Sequence, residues 1–407
     1  MAQHNPVAVL DVGSRLTRVG FGGEEAPRVV SSTVVGTPKQ RGLVGSLLQH
    51  YSDDYAGDAA CAREGLLNLC YPVQNRRIVN FSALEHALQD ILYQQLPLVP
   101  CDTPLLWVEA ACTSRIDRER LSELLFESFD VPLLGTVGAP TTTAYSTGRT
   151  SGLVLDSGEG CTTFSAVWEG YSLQYAVHVS PLAGGVLTDK LLSFLRAKGY
   201  PFSTSRDRRL AEEVKHSLCY VAADVEREME EMNKKLKPEY YGLPDDQHIY
   251  LNEGQFMIPE LLFNPLLCDA DCHLGGEAAA EAGTPSGDVN SLVRASISVA
   301  SDRDNWADTV VKVVQAAPVF THQRLFENVV LGGGNTLFPG IEQRLQRELV
   351  LRRTSTEQKV NCIAFADRDL AAWIGGSVVA SMSTFPQMCL SRKDYLESGP
   401  SIVHTKV

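Results

Sequence analysis

No stretch of the 407 residues approaches the roughly 20 consecutive apolar residues that a membrane-spanning helix needs. Met1 to Val9 contains Gln, His, Asn and Pro and lacks the basic and apolar regions of a secretory leader. The expectation is a soluble, intracellular chain with no membrane partner. A basic excess is missing as well. Against 36 Lys and Arg stand 49 Asp and Glu, a formal net charge of −13, which argues against a general nucleic-acid-binding surface. The ten cysteines form no framework. Cys70, Cys112, Cys219 and Cys362 sit in apolar company and read as reduced core thiols. Cys268, Cys272 and His273 are the one local cluster, with poor spacing for zinc and no second ligand pair.

What is present is an ordinary globular composition, 44 % hydrophobic and 21 % charged, in a chain too long for one compact core. Two large lobes are therefore expected. The stretch Leu153 to Phe164 gives them a focus. Three branched apolar residues make a buried strand, Asp156 to Gly160 makes a tight acidic turn, and Thr162 to Val167 returns as the hairpin partner. Glycine in such a turn lets the backbone approach a ligand, and the exposed N–H groups form a concavity suited to phosphate oxygens. Val7 to Phe21 repeats the order of strand, Asp, Gly turn, Thr and strand. Asp11 and Asp156, Gly13 and Gly158, and Thr17 and Thr162 are each 145 residues apart. One shared offset suggests a duplicated half-molecule whose two acidic hairpins face each other across a cleft. That arrangement suits a phosphate chain gripped from both sides, with carboxylates holding a magnesium's water shell.

Along the rest of the chain, strands alternate with helices, the mark of an α/β sheet in each lobe. Pro27 to Val35 reads as a strand, and Gly36 to Gly57 as a long exposed loop. A capping box of Ser82 and Glu85 predicts a helix carrying Leu84, Leu88, Ile91 and Leu92 on one face. Pro104 to Val108 and Leu133 to Val137 are strands, with a helix over Asp117 to Phe129 between them. Tyr171 to Val179 is the third strand of the second lobe. Gly184-Gly185 opens a helix buried through Leu187, Leu191, Leu192 and Leu195. Arg206 to Lys237 reads as one long helical region stopped by Pro238, its run of glutamates solvated. Asp269 to Asp304, rich in Ala, Gly, Ser and Asp, reads as a low-complexity, partly disordered insertion. Val329 to Leu331 is a strand, Gly332 to Thr336 a glycine-rich turn, and Pro339 stands in the first turn of a helix buried through Ile341, Leu345 and Leu349. Trp373 to Ser377 opens the last helix.

Read together, these stretches resemble the actin family. The similar segments include Ala26-Pro27-Arg28, Tyr71-Pro72, Phe126 to Pro132, Gly148-Arg149-Thr150, Leu153 to Gly160 and Glu169-Gly170-Tyr171. They continue through Leu218 to Ala222, Pro339-Gly340-Ile341, Trp373 to Ser377 and Gly399 to His404, leaving out only the 269–304 insertion. The resemblance implies an actin-like ATPase fold of two duplicated RNase H-like lobes, each with a smaller subdomain, closing on ATP or ADP with Mg. It divides the chain into residues 1–146 plus 371–407, with a small subdomain about 35–71, and residues 147–370, with a small subdomain about 183–268. Matching positions for the phosphate contacts are Gly13, Ser14, Leu16 and Arg18, then Gly158, Glu159 and Gly160. Asp11 and Asp156 match the carboxylates that hold the hydrated metal. Around base and ribose the matches are Gly184, Lys215, Gly333, Gly334, Asn335, Leu337 and Phe338.

The departures from that pattern bear on function. Arg15 replaces a glycine in the first phosphate turn, where its guanidinium can pair with a phosphate or its Cβ can push the backbone away. Arg18 and Glu159 replace a Lys and an Asp, while Glu212, His216 and Asp369 stand where the family has Arg, Glu and Lys. The glutamine and histidine that place and polarise the attacking water correspond to Ala139 and Thr163. A methyl group cannot orient water, and a Thr hydroxyl is too weak a base near neutral pH. Substitution by Glu159 or Thr141 is the alternative. The segments that make subunit contacts in the family are altered too, at the loop before Gly57-Asp58, after Pro265 and at the C-terminus. The expectation is a divergent, actin-related structural subunit, cytoplasmic and cytoskeletal, that holds nucleotide with little or no hydrolysis. Its partners would be other protein subunits, including actin or actin-related chains. The alternatives are a filament-forming actin with slow ATPase activity, a nuclear subunit of a chromatin-remodelling complex, and a sugar or acetate kinase of the same superfamily.

Overall fold

The computed structural model describes residues 6–39, 55–232, 239–243, 248–266, 305–353 and 357–405. The Asp269 to Asp304 insertion, most of the loop after Gly36, Pro238 and the Cys268, Cys272 and His273 cluster lie outside them. Among the described residues, no helix is long and apolar enough to cross a membrane.

Both predicted hairpins form. Strands Ala8–Val12 and Leu16–Phe21 pair antiparallel with Asp11 opposite Arg18 and Val12 opposite Thr17. Strands Gly152–Ser157 and Thr162–Trp168 pair the same way, with Asp156 opposite Thr163. Each hairpin gains a third antiparallel strand, Val29–Ser32 in the first case and Tyr171–Ser180 in the second. On its other side each adds two parallel strands. These are Leu105–Glu109 and Leu133–Gly138 in the first sheet, and Val329–Gly332 and Cys362–Ile363 in the second. Leu390–Ser391 caps the edge of the first sheet, making it six-stranded against five in the second. The shared offset in sequence is thus one topology built twice. Parallel neighbours require crossovers, and helices supply them, such as Arg115–Glu123 in the first half and Ile341–Arg352 in the second.

The two cores are separate. Leu10, Val19, Leu88, Leu105 and Phe126 belong to the first, and Leu155, Phe164, Leu191, Trp306 and Leu345 to the second. Helices Ala139–Ser146 and Ala371–Ala380 lie against each other so closely that a Cβ on Gly375 would stand 1.7 Å from the Thr142 carbonyl oxygen.

Several local readings are corrected by tertiary contacts. Pro27 to Val35 is two strands, because Thr33 N–H donates to Arg15 O at 2.9 Å and turns the chain; Val35–Pro38 then joins a separate three-stranded sheet with Tyr55–Ala56 and Leu67–Cys70. The helix Phe81–Gln89 is capped by Asn80, whose side-chain oxygen accepts from Ala83 N–H at 3.0 Å, in place of the Ser82 and Glu85 box. The Arg206 to Lys237 helix is broken: Ser205–Leu218 ends where Tyr220 N–H turns to Gln255 O and Val221 N–H to Pro339 O, and Val225–Met232 starts anew. Ile341–Arg352 begins after a left-handed Gly340, so Pro339 stands outside its first turn. Helices Phe385–Met388 and Arg392–Ser398 follow the Trp373 helix, which is therefore not the last. Cys219 and Cys362 are buried thiols as expected, but Cys70 is half-buried and Cys112 exposed.

Candidate functional site

The two hairpin turns close alike. Gly13 N–H donates to Leu16 O at 3.0 Å, and Gly158 N–H to Cys161 O at 3.2 Å. Both turns open into one cavity, with Asp11 and Asp156 at the strand ends beside it. The first turn contributes Gly13, Ser14, Arg15, Leu16 and Arg18 to its lining, and the second Gly158, Glu159 and Gly160. Gly184 and Gly185 N–H donate to the carbonyls of Gly158 and Glu159, seating the start of helix Gly184–Ala197 against the second turn. Lys215, Gly333, Gly334 and Asn335 also line it as expected, together with the divergent Glu212, His216 and Asp369. Two expected contacts are not brought there. Leu337 is exposed and Phe338 is buried in the second core, and neither lines the cavity.

Two of the charged replacements, Arg15 and Glu212, pair with each other, and Glu159 finds Arg208. Arg15 Nε donates to both Glu212 carboxylate oxygens, at 3.2 and 3.0 Å. Arg208 Nη1 donates to Glu159 at 3.0 Å and its Nε to Asp189 at 3.1 Å. The Lys215 ammonium is buried, which lowers its pKa, and it donates to Gly184 O and Thr188 Oγ1, each at 2.8 Å. Two donors are left over: Arg15 Nη1 and Arg18 Nε are buried and carry no hydrogen-bond partner. Unpaired buried donors of a cation are costly, and an anion in the cavity is the chemistry that would satisfy them.

Neither hydrolytic position reaches the cavity. Ala139 is 1 % exposed and packs in the apolar cluster around Trp373. Thr163 is 4 % exposed, and its hydroxyl donates back to Asp156 O at 3.4 Å. Of the possible substitutes, Thr141 does not line the cavity, and Glu159 is already paired with Arg208.

Sequence reasoning missed Arg76, Cys161 and Ala372, which also line the cavity. Burial pushes the Cys161 thiol up to about 11, so it stays protonated and inert near neutrality. Arg76 Nη2 pairs with Asp156 Oδ2 at 2.6 Å, and Arg18 Nη1 with Asp11 Oδ2 at 3.5 Å. Among the described residues, no group of three or more His, Cys, Asp or Glu is placed to hold a metal ion directly.

Helix Ser205–Leu218 delivers Arg208, Glu212, Lys215 and His216 to the site, and a capping box of Thr204 and Asp207 starts it. Burial alone would raise the Asp207 carboxyl, but donations from Thr204 and Ser203 N–H outweigh it and hold the pKa below its ordinary value. A depressed folded pKa gives stability that is present above the unfolded value of about 3.9 and lost as pH falls through the folded one. Asp207→Ala is expected to cost about 1 kcal/mol at pH 7 and to lose that cost towards pH 2, read by urea unfolding at both pH values. A pH-independent difference would contradict it.

A protein-family model described as Actin matches residues 2–407. Proteins of that family typically bind a nucleotide with magnesium and assemble with other proteins. With the duplicated sheets, the facing turns and a match of this extent, the chain belongs to the actin family.

Proposed function

We propose that this protein is an actin-like structural subunit that holds ATP or ADP between its lobes with little or no hydrolysis and docks into a cytoskeletal or other multiprotein assembly. One observation carries the nucleotide reading. Two turns of the same geometry open into one cavity, and the arginines of the first keep buried donors without partners. Di- and triphosphates match that demand. Withdrawal of Ala139 and Thr163 from the cavity supports retention over turnover, since a positioned base or acid contributes about 10²–10⁴-fold to a rate. Magnesium fits less well, because Asp11 and Asp156 each already face a guanidinium.

Calorimetric titration of the full chain with ATP tests the reading. One site per chain with a dissociation constant of about micromolar or tighter is expected. No heat and no protection from thermal unfolding at millimolar ATP would overturn it.

A further inference from the structure

We propose that Arg76 takes the place of a divalent cation between the two phosphate turns, so that the cleft holds its nucleotide without a metal ion. This rests on the nucleotide reading above.

Arg76 arrives on a short hairpin. Strands Val73–Gln74 and Arg77–Ile78 pair with Gln74 opposite Arg77, leaving Asn75 and Arg76 as a two-residue turn. Both turn residues have positive φ, 49° and 59°. Asn accepts that conformation readily, but the second position of such a turn ordinarily belongs to glycine. A long cationic side chain held there is strained, and a strained residue at a ligand site points to a functional constraint.

The contacts show what the hairpin tip reaches. Arg76 N–H donates to Ser14 Oγ at 3.1 Å, in the first turn. A Cβ on Gly160 would stand 2.8 Å from Asn75 N and 2.7 Å from Ser14 Oγ, so the tip lies directly on the second turn as well. From that position the guanidinium pairs with Asp156, which is 3 % exposed. Arg18 pairs with Asp11.

The charges then balance without a metal. Two carboxylates face two guanidiniums, and a divalent cation placed among them would meet two like charges in a site of low dielectric. Arg76 is nonetheless equipped for phosphate. A guanidinium has five N–H donors in a planar fork, more than one carboxylate uses, and the same group can bridge Asp156 to phosphate oxygens.

The test is a titration of the full chain with a fluorescent ADP analogue, once in EDTA and once in magnesium, with Mn²⁺ binding to the complex followed by electron paramagnetic resonance. The wild type is expected to bind with the same affinity in both buffers, within about twofold, and to hold no Mn²⁺. Arg76→Gly suits the positive φ, so the turn is retained. It is expected to lose at least about tenfold in EDTA, to regain affinity in magnesium and to bind one Mn²⁺. Wild-type binding that needs magnesium, or a stoichiometric Mn²⁺ on the wild-type complex, overturns the proposal and leaves the nucleotide reading standing. An Arg76→Gly variant that binds as well as wild type in EDTA also overturns it. Absence of binding in both buffers removes the nucleotide reading and this proposal together.

Discussion

Gly333→Ala is expected to destabilise the protein by about 4 kcal/mol and to weaken nucleotide binding at least about tenfold. Gly333 follows the strand Val329–Gly332 at φ +84°, a conformation that L side chains rarely adopt. Its N–H donates to Arg368 O at 2.9 Å, which fixes the turn in place. A Cβ there would lie 2.2 Å from Ser157 O and 2.6 Å from Asp156 Oδ1. The first of these belongs to backbone at the end of a buried strand and cannot step aside. The second belongs to the carboxylate that Arg76 pairs with. The same methyl group therefore strains the fold and disturbs the cavity wall. Urea unfolding reads the first effect and ATP titration the second. A loss below about 1 kcal/mol would contradict the geometry.

Glu260→Ala is expected to cost about 3 kcal/mol. Glu260 ends helix Gly254–Glu260 and receives Arg344 bidentately, Nη1 at 2.9 Å and Nη2 at 2.8 Å, from helix Ile341–Arg352. Both side chains are nearly buried, at 6 % and 11 % exposure. Burial raises the Glu260 carboxyl pKa, and Arg344 pulls it back only in part. The Glu348 carboxylate at 2.9 Å and the Ala222 carbonyl remain to Arg344 in the variant, which keeps the cost towards the lower end for a broken buried pair. Replacing both partners, Glu260→Leu with Arg344→Met, is expected to recover most of the loss, because the guanidinium that loses its partner is removed with it and Glu348 keeps Arg352. A double variant as unstable as Glu260→Ala would show that packing, not the uncompensated guanidinium, sets the cost.

Much of the architecture was legible because the chain states it twice. The hairpin at Asp156 and its counterpart at Asp11 share residue types, spacing and, in the fold, strand pairing. Local patterns failed where distant backbone decided the outcome. The apolar spacing runs unbroken through Leu218, Val221 and Val225, so one long helix was the natural reading. Only Pro339 and Gln255, far away in sequence, supply the acceptors that make a break affordable. Ser82 with Glu85 matched a capping box, yet Asn80 stood two residues earlier with an oxygen that reaches the Ala83 N–H.

At the site, the glycine turns and both carboxylates could be placed from sequence, because a duplicated pattern marks them. Leu337 and Phe338 could not: the 3₁₀ turn Gly334–Leu337 carries them past the cavity, one to solvent and the other into the core. Arg76 carried little local signal. Asn75 suggests a turn, but nothing near it shows that the turn lies across Ser14 and Gly160. The ion pairs of Arg15 with Glu212 and Arg208 with Glu159 are equally hidden: Arg15, Glu212 and Glu159 stand out in the sequence as departures, but nothing there joins them, and Arg208 carries no signal at all. Paired charges that look disruptive one at a time compensate each other once the fold joins them.

Under the proposed function, the cleft keeps its nucleotide uncut. Protein loaded with γ-labelled ATP, freed of excess nucleotide and held in magnesium at 25 °C, tests it most directly when the bound label is followed with time. The label is expected to remain on intact ATP, with phosphate release about 10²–10⁴-fold slower than from a family member that has the water-positioning glutamine and histidine. Conversion of the bound ATP to ADP at that member's own rate would contradict the claim.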